Sequence, residues 1–116
     1  MGVITECAML CGPLAKHKNM VLLSCRSFDD VLAILRKAKT DLSDCIRAVE
    51  FMDWESASIA MDYLKIENPL NEKYKFYLLV EMSGNTMEEL MQEQMLELLE
   101  KLEDHYEDGV MCDSES

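Results

Sequence analysis

The chain has 116 residues, of which 49% are hydrophobic and 29% charged, a composition typical of one globular domain. Its formal charge of −12 is unevenly distributed: residues 1–47 hold seven basic and five acidic side chains, whereas residues 48–116 hold four basic and eighteen acidic. A surface of that sign repels phosphate backbones, which argues against DNA or RNA as a partner. The apolar runs are far shorter than the ~20 residues that a membrane-spanning helix needs.

The cysteines are five in number and lack C-x-x-C spacing, which indicates a reducing compartment rather than a disulfide framework. We expect all five to be small buried hydrophobes or inert thiols. They are Cys7, Cys11, Cys25, Cys45 and Cys112. The first residues show neither the pattern of a secretory signal nor that of an organelle transit peptide, so we expect no targeting segment in this chain.

The first predicted element is a β-strand from Val3 to Cys11, which Gly12-Pro13 ends because proline offers no N–H to a ladder. This strand follows Met1 without a turn or a polar lead-in, so we expect the chain to be a piece of a larger fold. A second strand, Asn19 to Cys25, is apolar nearly throughout, which favours a central place in the sheet.

Ser27 is a suitable N-cap for a first helix, with Asp30 three residues later. Cations in the closing turns, at residues 36, 37 and 39, suit the negative end of the helix dipole. The apolar face of this helix is predicted to comprise Phe28, Val31, Leu32, Leu35 and Ala38.

A third strand, Cys45 to Met52, leads to Asp53, which can cap a second helix. Asn68-Pro69-Leu70-Asn71 ends that helix before a strand from Tyr74 to Met82, whose two faces are both apolar over part of its length. The buried side of the second helix is predicted to comprise Trp54, Ala57, Ala60, Met61 and Leu64.

Thr86 and Glu89 form a capping-box pair that opens the longest helix. Gly109 is predicted to follow its C-terminus, Val110 to Cys112 to form a last short strand, and residues 113–116 to be disordered. The buried side of this helix is predicted to comprise Met87, Met91, Met95, Leu98, Leu102 and Tyr106.

Strands separated by helices in this order predict one α+β domain over residues 1–116. We expect a ferredoxin-like arrangement, with a mostly antiparallel sheet and helices packed on one face.

Residues that could carry chemistry are sparse. Neither His17 nor His105 lies in a catalytic motif, and no serine lies in a nucleophile elbow. Cys7 and Cys11 share a face of the predicted strand but lie roughly 13 Å apart, too far for one metal. The acidic run from Glu88 to Asp108 could bind a partner or a cation, although a solvated helix side is the favoured interpretation. We therefore predict no catalytic and no metal-binding residue.

Two segments resemble flavoenzymes of the vanillyl-alcohol-oxidase type. The run from Gly2 to Pro13 is similar to the G-[VI]-[IV]-T stretch with which these enzymes leave the FAD-binding domain and enter the C-terminal substrate domain. Ala48 to Asp53 is similar to their A-x-E-F-M-D run further along that domain. Other segments fit the intervening and later elements, namely Asn19–Cys25, Phe28–Leu32 and Phe76–Gly84.

This resemblance implies a parent enzyme that oxidises a D-2-hydroxy acid, D-2-hydroxyglutarate to 2-oxoglutarate, and passes hydride to FAD and then electrons to a separate acceptor. It implies a mitochondrial location, an FAD pocket built mostly by the preceding domain, and substrate-binding Arg, Lys and His with a divalent metal further toward the C-terminus. Here only Gly2, Val3, Ile4 and Thr5 match a segment that contacts FAD. We therefore expect the chain to be scaffold and inactive alone.

Two alternatives stay open. The parent enzyme could be a D-lactate dehydrogenase of the same family, because the side chains that discriminate the two substrates have no counterpart here. The chain could also be a stand-alone ferredoxin-like protein-interaction module, whose acidic helix or sheet face binds a partner.

Overall fold

The computed structural model describes residues 2–12 and 14–113, which form three α-helices, a short 3₁₀ helix and four β-strands. In chain order these elements are β1 His17–Cys25, α1 Phe28–Asp41, β2 Ile46–Asp53, α2 Trp54–Leu64, β3 Phe76–Gly84, α3 Glu88–Lys101, the 3₁₀ helix Glu103–His105 and β4 Gly109–Asp113. None of the helices in these stretches is long and apolar enough to cross a membrane.

The four strands form one sheet in the order β2-β3-β1-β4, and every neighbouring pair is antiparallel. β1 and β2 are therefore parallel with β3 between them, and β3 and β4 are parallel with β1 between them. This double split βαβ arrangement is the ferredoxin-like topology. It confirms the predicted α+β class, and it confirms the central place of the strand that ends at Cys25.

The main core lies between the sheet and the pair of helices α1 and α3. Side chains at alternate positions of β1 and β3 point toward these helices, as the period of a strand requires. This face buries Val21, Leu23 and Cys25 of β1, Leu78, Val80 and Met82 of β3, Val31, Ile34 and Ala38 of α1, and Met91, Met95 and Leu98 of α3. Leu42 and Leu102, just beyond the two helices, complete it.

A smaller cluster lies on the opposite face of the sheet, under α2. Ala57 of α2 packs with Leu70 and Tyr77, and Leu22 and Met52 adjoin them. The expectation that the helices share one face is therefore met by α1 and α3 only. The reason is that β3 is apolar on both sides at Tyr77 and Leu78, so the outer face also offers a surface for a helix.

The predicted strand from Val3 to Cys11 is wrong for the described structure, because residues 2–12 form no regular element. β1, which follows this segment, has β3 on one side and β4 on the other. The outer edges of β2 and β4 remain in the sheet, but the segment pairs with neither, and an unpaired segment is not a strand. Pro13, in the predicted turn, lies outside the described residues.

The predicted N-caps of the first two helices are confirmed. The Ser27 side chain accepts the Asp30 N–H at 3.2 Å, and the Asp53 side chain accepts the Ser56 N–H at 2.8 Å. The predicted apolar faces are less accurate. In α1 the sequence interpretation missed the buried Ile34, and Phe28 is half exposed. In α2 only Ala57 is buried, while Ala60 and Leu64 are exposed.

The last helix begins and ends differently from the prediction. Met87 rather than Thr86 is the N-cap of α3, and no side-chain hydrogen bond caps it. The helix ends at Lys101, so Tyr106 lies beyond it and Gly109 opens β4 instead of closing the helix. Residues 114–116, part of the predicted disordered end, lie outside the described residues.

Candidate functional site

The four residues predicted to contact FAD lie at the exposed start of the chain. Val3 and Ile4 are 90% and 85% exposed, and a Cβ added at Gly2 would find no atom within 4 Å. A glycine that lets main chain approach a ligand needs a surrounding wall, and the described residues supply none around Gly2. Gly2, Val3, Ile4 and Thr5 do not form a cradle for a flavin by themselves, and their contact with FAD stays a prediction.

A concave surface lined by the following residues of the same segment is here called the N-terminal cleft. It has a volume of about 650 Å³ and lies between residues 9–12 and 14–15 and the adjoining ends of β1, β2 and β3. Lys16 fixes the approach of the segment, because its N–H donates to the Gly84 carbonyl and to the Asn85 side-chain oxygen, each at 3.2 Å. The body of the domain contributes Lys18, Arg47, Ser83, Gly84 and Asn85.

A β-bulge places Arg47 at this cleft. The register between β2 and β3 shifts between Ile46, which faces Met82, and Ala48, which faces Glu81. A bulge leaves one residue out of the ladder and turns its side chain away from the regular alternation. Arg47 is that residue, and it lines the cleft together with Lys18.

The cleft concentrates positive charge on an acidic protein. Lys18 and Arg47 are both exposed at its wall, whereas the whole chain carries a formal charge of −12. A guanidinium and an ammonium are suited to a carboxylate or a phosphate. Sequence reasoning missed Arg47 because its position depends on the bulge, which follows from the pairing of two strands separated by a helix.

Each histidine lies beside a carboxylate. His17 Nδ1 lies 3.7 Å from a Glu88 carboxylate oxygen at the surface. His105 Nδ1 lies 3.0 Å from Asp30 Oδ1, and the Ser27 hydroxyl donates to Asp30 Oδ2 at 2.6 Å. The hydrogen bonds from Ser27 and then from His105 lower the pKa of the Asp30 carboxyl. The contacts of Asp30 with Ser27 and His105 connect the start of α1 with the 3₁₀ helix.

The cysteines divide into two groups. Burial raises the pKa of the Cys25 thiol to about 12, with a smaller contribution from Asp30, so this thiol is a core side chain. Burial also raises the pKa of the half-buried Cys45. Cys7, Cys11 and Cys112 are exposed, so they are not buried hydrophobes, and that they are inert thiols stays a prediction. Within residues 2–12 and 14–113, no group of three His, Cys, Asp or Glu side chains could hold a metal ion.

Comparison with known proteins identifies the family of this chain. The sequence model of the FAD-linked oxidases' C-terminal domain matches residues 14–116. The segment that precedes the match contains the exposed residues 2–12.

Curated relatives are longer than this chain. It is 38% identical over 86 residues to the mitochondrial D-2-hydroxyglutarate dehydrogenase of Rattus norvegicus. The aligned region covers 74% of this chain and 16% of that enzyme. It is 36% identical over 86 residues to the D-2-hydroxyglutarate–pyruvate transhydrogenase of Saccharomyces cerevisiae, covering 73% and 17%. A protein of Schizosaccharomyces pombe with the provisional name mitochondrial D-lactate dehydrogenase is 30% identical over the whole chain and 22% of its own length.

Among solved structures, a dimeric ferredoxin-like protein of unknown function from Bacteroides fragilis aligns with 85% of this chain and 94% of its own. The TM-score is 0.40 at 16% identity, so the fold assignment rests on the strand order described above. The match over residues 14–116 decides the family. The chain belongs to the family of FAD-linked oxidase C-terminal domains.

Proposed function

We propose that this chain is part of the substrate domain of an FAD-dependent D-2-hydroxyacid dehydrogenase and that it serves there as scaffold. The family match over residues 14–116 carries this proposal. Its finer part, oxidation of D-2-hydroxyglutarate to 2-oxoglutarate, is supported by the names of the rat and budding-yeast relatives. The fission-yeast relative supports D-lactate as the alternative substrate.

In the parent enzyme the bound flavin would supply the redox chemistry that the oxidation of a hydroxy acid needs. The residues present in this chain do not enclose a flavin. In the proposed parent enzyme another domain holds most of the FAD, and Gly2, Val3, Ile4 and Thr5 add contacts along one side. A separate acceptor would take up the electrons, and any divalent metal would be held by residues elsewhere in the polypeptide.

The N-terminal cleft suits a supporting role in this arrangement. It adjoins the segment that leads to Gly2, and Lys18 and Arg47 give it the charge that an anionic cofactor or substrate requires. A mitochondrial location is part of the proposal, because the rat and fission-yeast relatives are both named mitochondrial.

A chimera tests the proposal directly. The segment of the rat dehydrogenase that matches this chain is replaced by this chain, and the chimera is purified with FAD. We expect it to retain flavin and to oxidise D-2-hydroxyglutarate with a higher kcat/KM than D-lactate. The reduction of an artificial electron acceptor gives the rate. A chimera that folds but does not bind FAD, or binds it without oxidising D-2-hydroxyglutarate, would contradict the scaffold role. Its preference over D-lactate is set by the rat portion, which holds the side chains that discriminate the two substrates.

The isolated chain provides the second arm of the test. We expect no saturable quenching of flavin fluorescence when FAD is added at micromolar concentrations, and no turnover of either hydroxy acid. Full-length rat enzyme, measured beside it, shows that the assay detects both activities. Turnover by the purified 116-residue chain would contradict the scaffold role.

A further inference from the structure

The N-terminal cleft differs in charge from the rest of the chain. Within the residues that the structure describes, no acidic side chain lines it, although the sequence holds 23 of them. Glu81, two residues before Ser83 on β3, lies outside the lining, whereas Lys18 and Arg47 belong to it. In a protein with a formal charge of −12, such a surface is where an anion meets the least repulsion.

The wall of the cleft that the sheet provides is held by backbone pairing. Lys18 and Ser83 are cross-strand partners in β1 and β3, so their side chains lie on the same face of the sheet. The Ser83 N–H donates to the Cys45 carbonyl at 2.8 Å, which holds the start of β2, and with it the bulge at Arg47, beside them. The polar groups on this side of the cleft are here called the strand wall, and they are Lys18, Arg47, Ser83 and Asn85.

The strand wall presents hydrogen-bond donors. Arg47 offers a planar set of N–H groups, Lys18 an ammonium and Ser83 a hydroxyl. The Asn85 side-chain oxygen already accepts the Lys16 N–H at 3.2 Å, so its amide nitrogen is the group left for a ligand. No carboxylate among the described residues forms an ion pair with Arg47. The guanidinium is therefore able to bind an external anion.

This set of donors fits a phosphate monoester better than a carboxylate. A phosphate monoester has three acceptor oxygens and a charge of about −1.5 to −2 at pH 7, whereas a carboxylate has two oxygens and a single charge. A guanidinium binds phosphate through two parallel hydrogen bonds, which leaves further phosphate oxygen for the other donors. Both phosphates of FAD are doubly substituted, so the flavin lacks such a group.

The opposite side of the cleft is apolar. Met9, Leu10 and Leu14 line it, and all three side chains are exposed to solvent. These residues are here called the apolar wall. A hydrocarbon group bound between the two walls would remove part of this surface from water, which stabilises a complex. The cleft therefore favours an anion that carries a small apolar group over a bare inorganic ion.

We propose that the N-terminal cleft is a binding site for a phosphate monoester with a small apolar body. The strand wall binds the phosphate, and the apolar wall contacts the body. This inference goes beyond the proposed function, because it concerns the chain alone, without a flavin and without a longer polypeptide. Failure of the chimera would leave it standing, and failure of this site would leave the scaffold role standing.

The experiment titrates the isolated, isotope-labelled chain with butyl phosphate at constant ionic strength and follows the amide chemical shifts by NMR. We expect saturable shifts at Ser83, Gly84 and Asn85, which lie on the cleft. Inorganic phosphate should bind about threefold more weakly, because it offers nothing to the apolar wall. Pentanoate, a carboxylate with a similar body, should bind roughly tenfold more weakly, because it accepts fewer hydrogen bonds.

Substitutions test the two walls separately. Arg47→Ala should weaken butyl phosphate binding roughly tenfold, and Arg36→Ala is the matched control, because Arg36 is exposed on α1 outside the cleft. We expect both variants to keep the melting temperature of the parent chain. If Arg47→Ala lowers it, Arg47→Gln replaces that variant, since glutamine retains most of the aliphatic stem. Leu14→Ser should remove the advantage of butyl phosphate over inorganic phosphate.

Three results would overturn the inference. The first is the lack of saturable shifts at the cleft, or shifts that sodium chloride of equal ionic strength reproduces. The second is an unchanged affinity in both Arg47 variants, because the strand wall would then not hold the phosphate. The third is binding of pentanoate as tight as that of butyl phosphate, which would make the cleft a carboxylate site.

Discussion

At Gly109 the absence of a side chain lets β4 lie against β1. A Cβ built there would stand 2.8 Å from Leu23 Cδ2 and 3.5 Å from the Leu22 carbonyl oxygen. Leu23 is fully buried, so its methyl group has little room to withdraw. Gly109 is therefore required by close packing, since its backbone has no positive φ that would demand glycine.

Gly109→Ala is expected to lower the free energy of unfolding by about 1–3 kcal/mol, the usual cost of an extra methyl group in a packed core. Urea denaturation followed by circular dichroism gives the value. Gly84→Ala is the matched control, because its Cβ would meet Met91 Sδ at 3.7 Å, an ordinary contact. Equal free energies of unfolding for the two variants would show that β4 moves to accommodate the added methyl group.

The sequence could not predict the role of Gly109 or the position of Arg47. Both depend on which strands become neighbours, and the neighbour of Gly109 in space is Leu23, far away along the chain. Ser27 and Asp53, in contrast, act within three residues of themselves, so their capping roles were predictable from the local sequence.

At the scale of elements, the three helices differ in how they begin. Ser27 and Asp53 each accept an N–H from the first turn of their helices. Met87 occupies the same place in α3 without a side-chain bond, with φ −58° and ψ 138°. Those angles suit a capping residue, and Met87 is 67% exposed, so a polar replacement there sacrifices little packing.

Opposite changes are expected at the two N-caps. Ser27→Ala should lower the free energy of unfolding by about 1 kcal/mol, whereas Met87→Ser should raise it by about 0.5–1 kcal/mol, because serine satisfies an N–H that methionine leaves open. Both values come from chemical denaturation.

Thr86→Ala is the control for the predicted capping box. Since Met87 is the N-cap in the structure, we expect this variant to stay within about 0.5 kcal/mol of the parent chain. A loss of about 1 kcal/mol from Thr86→Ala, with no gain from Met87→Ser, would show that the helix begins in solution where the sequence placed it.

Periodicity predicted the existence and type of seven elements but not always the side that they bury. For α3 the interpretation was accurate at Met91, Met95 and Leu98, which are separated from the acidic side by clear spacing, but wrong at Met87, which is exposed. For α2 it was right at Ala57, Trp54 and Met61, which pack at the outer face of the sheet, and wrong at Ala60 and Leu64, because apolar residues extend around most of the helix. The first predicted strand failed for a different reason, namely the lack of a partner at the sheet.

At the scale of the whole molecule, carboxylates join segments that are far apart in the chain. Asp108 accepts the Asn71 N–H at 2.9 Å and the Tyr74 hydroxyl at 3.4 Å, which holds the loop before β3 against the start of β4. The Asn71 N–H is the largest cause of the lowered pKa of Asp108. Asp41 has a lowered pKa as well, through Lys101 first and then Lys37, and it connects α1 with α3.

The lowered pKa values fix the direction of the pH dependence. A carboxyl whose pKa is lower in the folded than in the unfolded chain stabilises the fold above its unfolded pKa, near 4. That stabilisation is lost as the pH falls through the folded value. We therefore expect the free energy of unfolding to decline from pH 5 to pH 3, and to decline less steeply in Asp108→Asn.

Asp104→Asn serves as the matched control, because Asp104 is an exposed carboxylate near Asp108 in the chain. Urea denaturation at several pH values gives the slopes for the three proteins. The assignment to Asp108 fails if Asp104→Asn flattens the profile as much as Asp108→Asn does.

The insertion of α2 has a consequence for how such a chain can diversify. β2 and β3 are antiparallel neighbours, so a short turn could join them, yet the chain makes a detour of more than twenty residues between them across the outer face of the sheet. The remaining strands and helices already complete the ferredoxin-like unit without that excursion. Mutations, lengthening or replacement of this detour can therefore remodel one face of the protein while the main core keeps its packing.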